Sequence, residues 1–474
     1  MSRSKKLCCL LGLLAAVCGA TLILLQVEEQ KEKIKNSEDV ILELPWESVT
    51  ALSWEQDGKT LSFHKGETWL YDEDEAFPVS EERIQELLEQ FEAFGVSFII
   101  EDVEDYGQYG LDDPICTIDL EAGEESRQIQ LGDYSKMDSK RYVSIGDGNV
   151  YLVNDDPLDL FDTTLNSMID NDEIPVWDQV TELRFEGEET YSAVYQEDSA
   201  SAYSDQDIYF VQQNGKDAPL DTSRVDSYLW SIRSLNLTDY VSYNAAEAEL
   251  AQYGLDAPDL TVTVNYTAEN EDEDEETGTF VLHISRDLET KQAAEQAEQD
   301  GQKEDEEEEL STAYVRVGDS KIIYEISGDR YEELMAAFYD DLRHQEVFWA
   351  DFDEVYQIDV SLEGTDHTIT SEKDGDERVW SYQEKEVEIT DFQTALADLR
   401  ADSFTSEKPT GKEEIRFTLY LENENCPEVS VKFYRYDGEF CLAEVDGKPV
   451  SLVRRSYAVD LIEAVQAIVL NENQ

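Results

Sequence analysis

The chain has 474 residues and sets 36 Lys and Arg against 111 Asp and Glu, a formal net charge of −75 at pH 7. A field of that sign repels phosphate backbones and anionic headgroups, so nucleic acid and anionic lipid surfaces are excluded as partners, and cations, cationic peptides or basic protein faces remain. At about 150 residues per domain the length fits three domains better than one core.

The acidity is not one tail. Its densest stretch, Glu269 to Glu309, holds 18 acids and 3 bases, and the surplus elsewhere is still large. Cysteine is sparse: Cys8, Cys9 and Cys18 fall in an apolar N-terminal run, leaving Cys116, Cys426 and Cys441, too few for a disulfide framework. Cys426 and Cys441 sit on neighbouring predicted strands and are read as two buried thiols, with a bridge as the alternative.

From the N-terminus, Arg3, Lys5 and Lys6 precede 19 uncharged residues, Leu7 to Leu25. At about 1.5 Å per residue that run spans a hydrocarbon core of about 30 Å. Residues 1–30 are therefore read as a cytoplasmic tip and transmembrane anchor, spanning with residues 7–27. Basic residues before the span and Glu28 and Glu29 after it keep the N-terminus cytoplasmic and place the body outside the cell. A cleaved signal, or a lipoprotein signal acylated at Cys18, is the alternative. The apolar run is longer than a signal core needs, and Val17 rather than a small residue precedes Cys18.

The body repeats itself. Tyr109 to Pro114 reads YGLDDP, and Tyr253 to Pro258, 144 residues on, reads YGLDAP. Upstream, Trp46 to Leu52 (WESVTAL), Trp177 to Leu183 (WDQVTEL) and Phe352 to Ile358 (FDEVYQI) share one pattern. Downstream, YVSIGDGNVYLV from Tyr142 resembles YVRVGDSKIIYEI from Tyr314, with a looser third version from Phe440. Repeats on this scale mean tandem modules, taken as residues 40–170, 176–345 and 350–470.

Within the first module, Ala51 to Trp54, Thr60 to Phe63 and Thr68 to Tyr71 alternate apolar and polar residues around Asp57-Gly58 and Lys65-Gly66, the pattern of half-buried strands joined by tight turns. Ser80 then caps a helix whose apolar stripe is Ile84, Leu87, Leu88, Phe91 and Phe94. Val225, Leu229, Ile232 and Leu235 make the matching stripe in the second module. In the third, Thr390 caps Phe392, Leu396 and Leu399. Strands Ile115 to Leu120, Arg127 to Leu131, Tyr142 to Ile145 and Val150 to Val153 follow, then a closing helix over Leu158 to Ile169. Tyr331 to Leu342 and Tyr457 to Leu470 are its counterparts. Short turns between strands predict mainly antiparallel sheets with packed helices, an α+β module used three times behind one transmembrane helix.

Two acidic runs, at about 268–279 and 287–310, interrupt the second module and are read as solvated loop insertions. No Asp-x-Asp-x-Asp-Gly pattern turns them into a calcium loop. Deleting Thr290 to Glu309 is accordingly expected to leave the melting temperature nearly unchanged.

Signs of chemistry are thin. The four histidines, His64, His283, His344 and His367, show no His-x-x-x-His or Glu-x-x-His spacing, so no metal site or cofactor is expected. No Gly-x-Ser-x-Gly elbow or Gly-rich phosphate loop occurs, and acids are too common for a carboxylate pair to be diagnostic. The reading is of a protein that is not an enzyme. The candidate motif is Tyr109, Gly110, Asp112 and Pro114 with Tyr253, Gly254, Asp256 and Pro258. Its glycines suit positive φ, its aspartates a side-chain turn, and its prolines an extended lead-in to a strand. The alternative has Tyr109 and Tyr253 displaying a recognition surface. Trp46, Trp177, Trp230 and Trp349 are read as core or intermodule packing.

The combination of YGLDxP after a helix, the strand end Ile129 to Asp133, and YVSIGDGNVYLV behind one membrane span resembles the bacterial domain-of-unknown-function family numbered 4340. The match is specific in the first module, interrupted by acidic runs in the second, and replaced in the third by Ser406 to Gly411 (SEKPTG). That resemblance implies a membrane-tethered extracytoplasmic protein associated with gliding-motility-type ABC transporter components, with no catalytic residues to carry over. The expectation is thus a non-catalytic accessory protein contacting a transporter permease or another cell-envelope partner. The alternative is an envelope module binding a carbohydrate or cationic ligand.

Overall fold

The computed structural model describes residues 33–36, 39–213, 215–270, 274–299, 312–375 and 377–470. The expected membrane anchor at residues 7–27 lies outside them; among the described residues no helix is long and apolar enough to cross a membrane. The chain forms two compact units, Met1–Asp172 and Glu173–Gln474.

The first unit runs β1 (Lys33–Asn36), β2 (Val40–Leu42), β3 (Ala51–Gln56), β4 (Lys59–Lys65), β5 (Trp69–Tyr71), α1 (Glu81–Glu89), β6 (Phe94–Glu101), β7 (Cys116–Ala122), β8 (Glu125–Ser135), β9 (Lys140–Ser144), β10 (Val150–Val153) and α2 (Leu158–Phe161). The second unit opens with β11 (Gln179–Glu186), β12 (Thr190–Tyr195), β13 (Tyr209–Gln213), β14 (Lys216–Pro219), α3 (Thr222–Arg233), β15 (Tyr240–Ser242), α4 (Glu247–Gln252), β16 (Leu260–Glu269), β17 (Glu275–Ser285), α5 (Leu288–Gln299), β18 (Ala313–Val317), β19 (Ile323–Ile326), α6 (Gly328–Met335) and α7 (Tyr339–Leu342). It continues with β20 (Val355–Leu362), β21 (Thr365–Asp374), β22 (Glu377–Tyr382), β23 (Lys385–Glu386), α8 (Thr390–Ala397), β24 (Ala401–Phe404), β25 (Glu413–Leu421), β26 (Glu428–Arg435), β27 (Phe440–Val445), β28 (Lys448–Arg454) and α9 (Arg455–Leu470).

Three sheets result, and their strand orders coincide. The first reads β5-β4-β3-β7-β8-β9-β10-β6, the second β13-β12-β11-β16-β17-β18-β19-β15 and the third β22-β21-β20-β25-β26-β27-β28-β24, with β1 and β2 on β6, β14 on β13 and β23 on β22. The central pairs β3 with β7, β11 with β16 and β20 with β25 are all antiparallel. In each copy the chain forms a hairpin meander, crosses through a helix to the far edge, and returns by a second meander. The class is α+β in three modules, and the third keeps the topology although its sequence has drifted furthest.

Period-two burial explains the shared start. Leu52 and Trp54, then Leu183 and Phe185, then Ile358 and Val360, are buried two apart on one face of the strand, and Val49, Val180 and Val355 are buried three residues ahead of each pair. The crossing helix buries Ile84, Leu87 and Leu88 in the first copy, Val225, Leu229 and Ile232 in the second, and Phe392 and Leu396 in the third. Ser80 caps α1 as expected, its hydroxyl accepting from Arg83 N at 3.3 Å, while the third helix begins at Thr390 with Ile389 as its cap residue.

Several expectations need correction. Phe94 does not extend the α1 stripe; it starts β6, where the apolar run Phe94 to Ile100 contains the buried pair Val96 and Ile100. A three-residue spacing from Phe91 to Phe94 mimics a helix, but the backbone turns between them. Two closing helices are broken. In the first module one turn of α2 gives way to a 3-10 turn at Leu165–Met168. In the second, Ala336 leaves the helix at ψ 57 and Asp341 caps a new turn through Phe338 N at 3.0 Å.

The acidic runs are structured where described. Glu269 pairs with Glu275 at the end of the long β16–β17 hairpin, and Leu288–Gln299 is helical. Trp230 is 68% exposed on α3, not core. Cys116, Cys426 and Cys441 are buried free thiols.

Candidate functional site

Both YGLDxP segments occupy the same niche. Each ends a short helical turn: Gly110 N bonds Gly107 O at 3.2 Å and Leu111 N bonds Tyr106 O at 3.1 Å, matched by Gly254 N to Ala251 O at 3.3 Å and Leu255 N to Leu250 O at 2.7 Å. Gly110 and Gly254 have φ of 72° and 71°, the left-handed region that glycine adopts without penalty. Tyr109 meets Tyr142 with ring centroids 4.9 Å apart at 54°, and Tyr253 meets Tyr314 at 4.6 Å and 57°. Tyr109 and Leu111 build a small core with Ile100, Val150 and Leu152. Pro114 and Pro258 stand just ahead of β7 and β16.

The glycines also allow close approach. A Cβ on Gly110 would lie 2.8 Å from Asp133 N, and one on Gly254 would lie 2.4 Å from Arg286 O. The third module lacks the tyrosine but keeps the contact, since a Cβ on Gly411 would fall 1.7 Å from Arg435 O. Asp112 and Asp256 are exposed. The side-chain cap of the first turn is instead Asp105, accepting from Gly107 N at 3.0 Å. Thus the eight motif residues lie in two equivalent turns, one in each unit, that lead into strands.

Beside the second turn is a cavity of about 260 Å³, lined by Glu188, Glu189, Asp259, Arg286, Tyr331 and Phe338 among others. Asp259 accepts from Arg286 N at 3.1 Å and Tyr331 OH at 3.0 Å, and pairs with Lys291 at 3.0 Å. The Arg286 guanidinium lies 5.2 Å over the Tyr331 ring, and its Nε is buried without a hydrogen-bond partner. Burial, then the Asp259 charge, hold the Tyr331 phenol well above its usual range.

A second constellation lies where the second module runs into the third. The loop after β12 carries Asp207, 2% exposed, whose carboxylate accepts from Tyr203 N at 2.8 Å, Ser204 N at 3.1 Å, and the Trp349 indole at 3.4 Å. Its other oxygen holds His344 Nε2 at 2.9 Å, and the imidazole stacks on Trp349 at 4.6 Å and 8°. Tyr203 packs on the third module's core and on Trp349. Asp221, the α3 cap, and Glu346 bring one donor atom each to within 4.8 Å of one on His344. Spacing rules for helical metal motifs miss this set. The legible signal is His344-x-Glu346 on an extended segment, where alternate side chains share a side; Asp207 and Asp221 come from far upstream.

Compared with known families, residues 69–207 and 211–418 match the family description of a domain of unknown function, DUF4340. The chain belongs to this family. Both DUF4340 matches begin in corresponding strands, β5 and β13, and each runs on past the next module's first strand. The family unit is thus out of phase with the folded module, and the second match extends into the third module as far as β25. No curated protein and no solved structure matches the chain.

Proposed function

We propose that this DUF4340 chain is a membrane-tethered, extracytoplasmic, non-catalytic accessory protein that works by contact, its partner being an ABC transporter permease. The observation that carries the reading is the equivalence of the Tyr109–Tyr142 and Tyr253–Tyr314 pairs. The most distinctive repeated residues serve the modules' own folding, as in a scaffold that presents surface. The acidic exterior suits a basic protein face and repels anionic headgroups. The N-terminal apolar run, with its preceding basic cluster, supplies the tether. Copurification from detergent-solubilised native membranes tests the proposal: permease and ATPase components recovered with the full chain support it, and their absence under conditions that keep other membrane complexes intact overturns it.

A second reading is favoured by the module-two cavity. Arg286, Tyr331 and the acidic pair Glu188 and Glu189 would suit a small polar ligand with cationic or hydroxyl groups. Retention of a carbohydrate or cationic peptide by the full chain, lost in R286A, supports that reading.

A further inference from the structure

We propose that Asp221, His344 and Glu346 bind one divalent transition-metal ion of the zinc class, with Asp207 as the positioning residue behind the histidine. This inference is independent of the accessory role. One imidazole nitrogen and two carboxylate oxygens are a donor set that zinc and its neighbours accept. The three donor atoms lie within 4.8 Å of one another. A tetrahedral ion with bonds of about 2.0–2.1 Å holds its ligand atoms roughly 3.3 Å apart, so the side chains need to close by up to about 1.5 Å.

What separates this set from the many acid clusters of so acidic a chain is the orientation of the histidine. His344 Nε2 donates to Asp207, whose side chain is only 1% exposed, and the ring is clamped flat against Trp349. A carboxylate can only accept, so Nε2 is the nitrogen engaged with Asp207 and Nδ1 is the one left for an ion, the carboxylate–histidine arrangement that orients ligands at metal sites. Asp207 has its own support from two backbone amides. The ligand ring is thus preorganised before any ion arrives.

The carboxylates have partners an ion can replace. Glu346 pairs with Arg400 at 3.1 Å, and Arg400 is 60% exposed, so its guanidinium returns to water at little cost. Asp221 keeps its capping bonds to Ser223 N and Arg224 N through Oδ1, while Oδ2 is only 3.5 Å from Arg224. Three protein ligands leave a fourth position for water. Because Asp221 opens α3 and its amide already bonds Leu342 O at 3.0 Å, an ion here ties the second module to the segment that leads into the third.

The test uses the full chain, stripped with chelator and titrated with Co²⁺ and Zn²⁺ in about 0.15 M salt, where exposed carboxylates bind divalent ions only weakly. The expected result is one tight equivalent per chain, a raised melting temperature, and paramagnetic loss of the His344 imidazole signal ahead of the other three histidines. His344→Ala removes the tight equivalent and Glu346→Gln weakens it at least tenfold. Asp207→Asn keeps the stoichiometry but weakens affinity about 10–100-fold, while the exposed control Glu67→Gln changes nothing. If His344→Ala does not fold, Glu346→Gln, which leaves the Asp207–His344 bond in place, decides. A tight equivalent that survives Glu346→Gln unchanged, or only weak salt-sensitive binding to the wild-type chain, overturns the proposal.

Discussion

The Tyr203 hydroxyl donates a 2.9 Å hydrogen bond to Asp446, 243 residues further along the chain. Tyr203 lies in the loop that also carries Asp207, and its ring packs 4.8 Å from Trp349. Nearby, Asn425 donates to Ser199 O at 3.4 Å. A loop of the second module therefore straps the third. Tyr203→Phe removes one hydrogen bond and is expected to cost about 1 kcal/mol. Tyr203→Ala also removes the packed ring and is expected to cost about 2–4 kcal/mol. Urea unfolding of the second unit checks both; equal, negligible losses would show that the strap carries no stability.

Gly110 and Gly254 combine positive φ with close packing, so a side chain there meets two penalties. Left-handed backbone costs a non-glycine residue about 1–2 kcal/mol, and the contact with Asp133 N or Arg286 O must open in addition. Gly123 has φ of 63° but open space around it, with nothing within 4 Å of where a Cβ would stand, so Gly123→Ala meets the backbone penalty alone. Thermal unfolding is expected to rank G110A and G254A as clearly more damaging than G123A. A ranking with all three equal would remove the packing role of the motif.

Lys291 reaches Asp259 at 3.0 Å and the carbonyls of Gly254 and Ala257 at 3.3 and 3.0 Å. Composition alone suggests that Thr290 to Glu309 can be deleted without effect, yet Lys291 lies inside that stretch and holds the second YGLDxP turn. Lys291→Ala is expected to destabilise the second unit by about 1–3 kcal/mol, because a largely buried carboxylate loses its cation. An unchanged unfolding midpoint would return the segment to the status of a solvated insertion.

The thiols of Cys116, Cys426 and Cys441 are pushed from 9.0 up to about 12, first by burial. Burial likewise moves the Tyr151 and Tyr209 phenols from 10.0 to about 12. These groups stay protonated in the native state while the unfolded chain ionises above pH about 9, so their stabilising effect is intact below that pH and is lost as pH rises towards 12. The urea midpoint is expected to fall steadily between pH 9 and 11. Native thiols should also resist alkylation at pH 8 until the chain unfolds. A flat midpoint, or rapid native alkylation, would contradict this.

Much of the fold is legible because its determinants are local. Alternation at Leu52 and Trp54, or at Ile358 and Val360, specifies buried strands, and the internal repeats carry that reading from copy to copy. The crossing strands β6, β15 and β24 escape it. Phe94 follows Phe91 at helical spacing, and Tyr240–Ser242 is too short to show a period. The site at His344 is invisible for a different reason. Asp207 and Asp221 come from far upstream and reach it only once the second module has folded, and no local spacing encodes that meeting. Trp230 shows the same limit in reverse: an apolar residue on an amphipathic helix reads as core, yet the fold turns it to solvent.

The accessory reading meets its most direct test in photo-cross-linking from surface positions of each module in intact native membranes, followed by mass spectrometry of the adducts. The account predicts adducts with a transporter permease, concentrated on one face of the modules and absent from positions on the opposite face. Adducts spread evenly over unrelated envelope proteins, or confined to soluble ones, would contradict it.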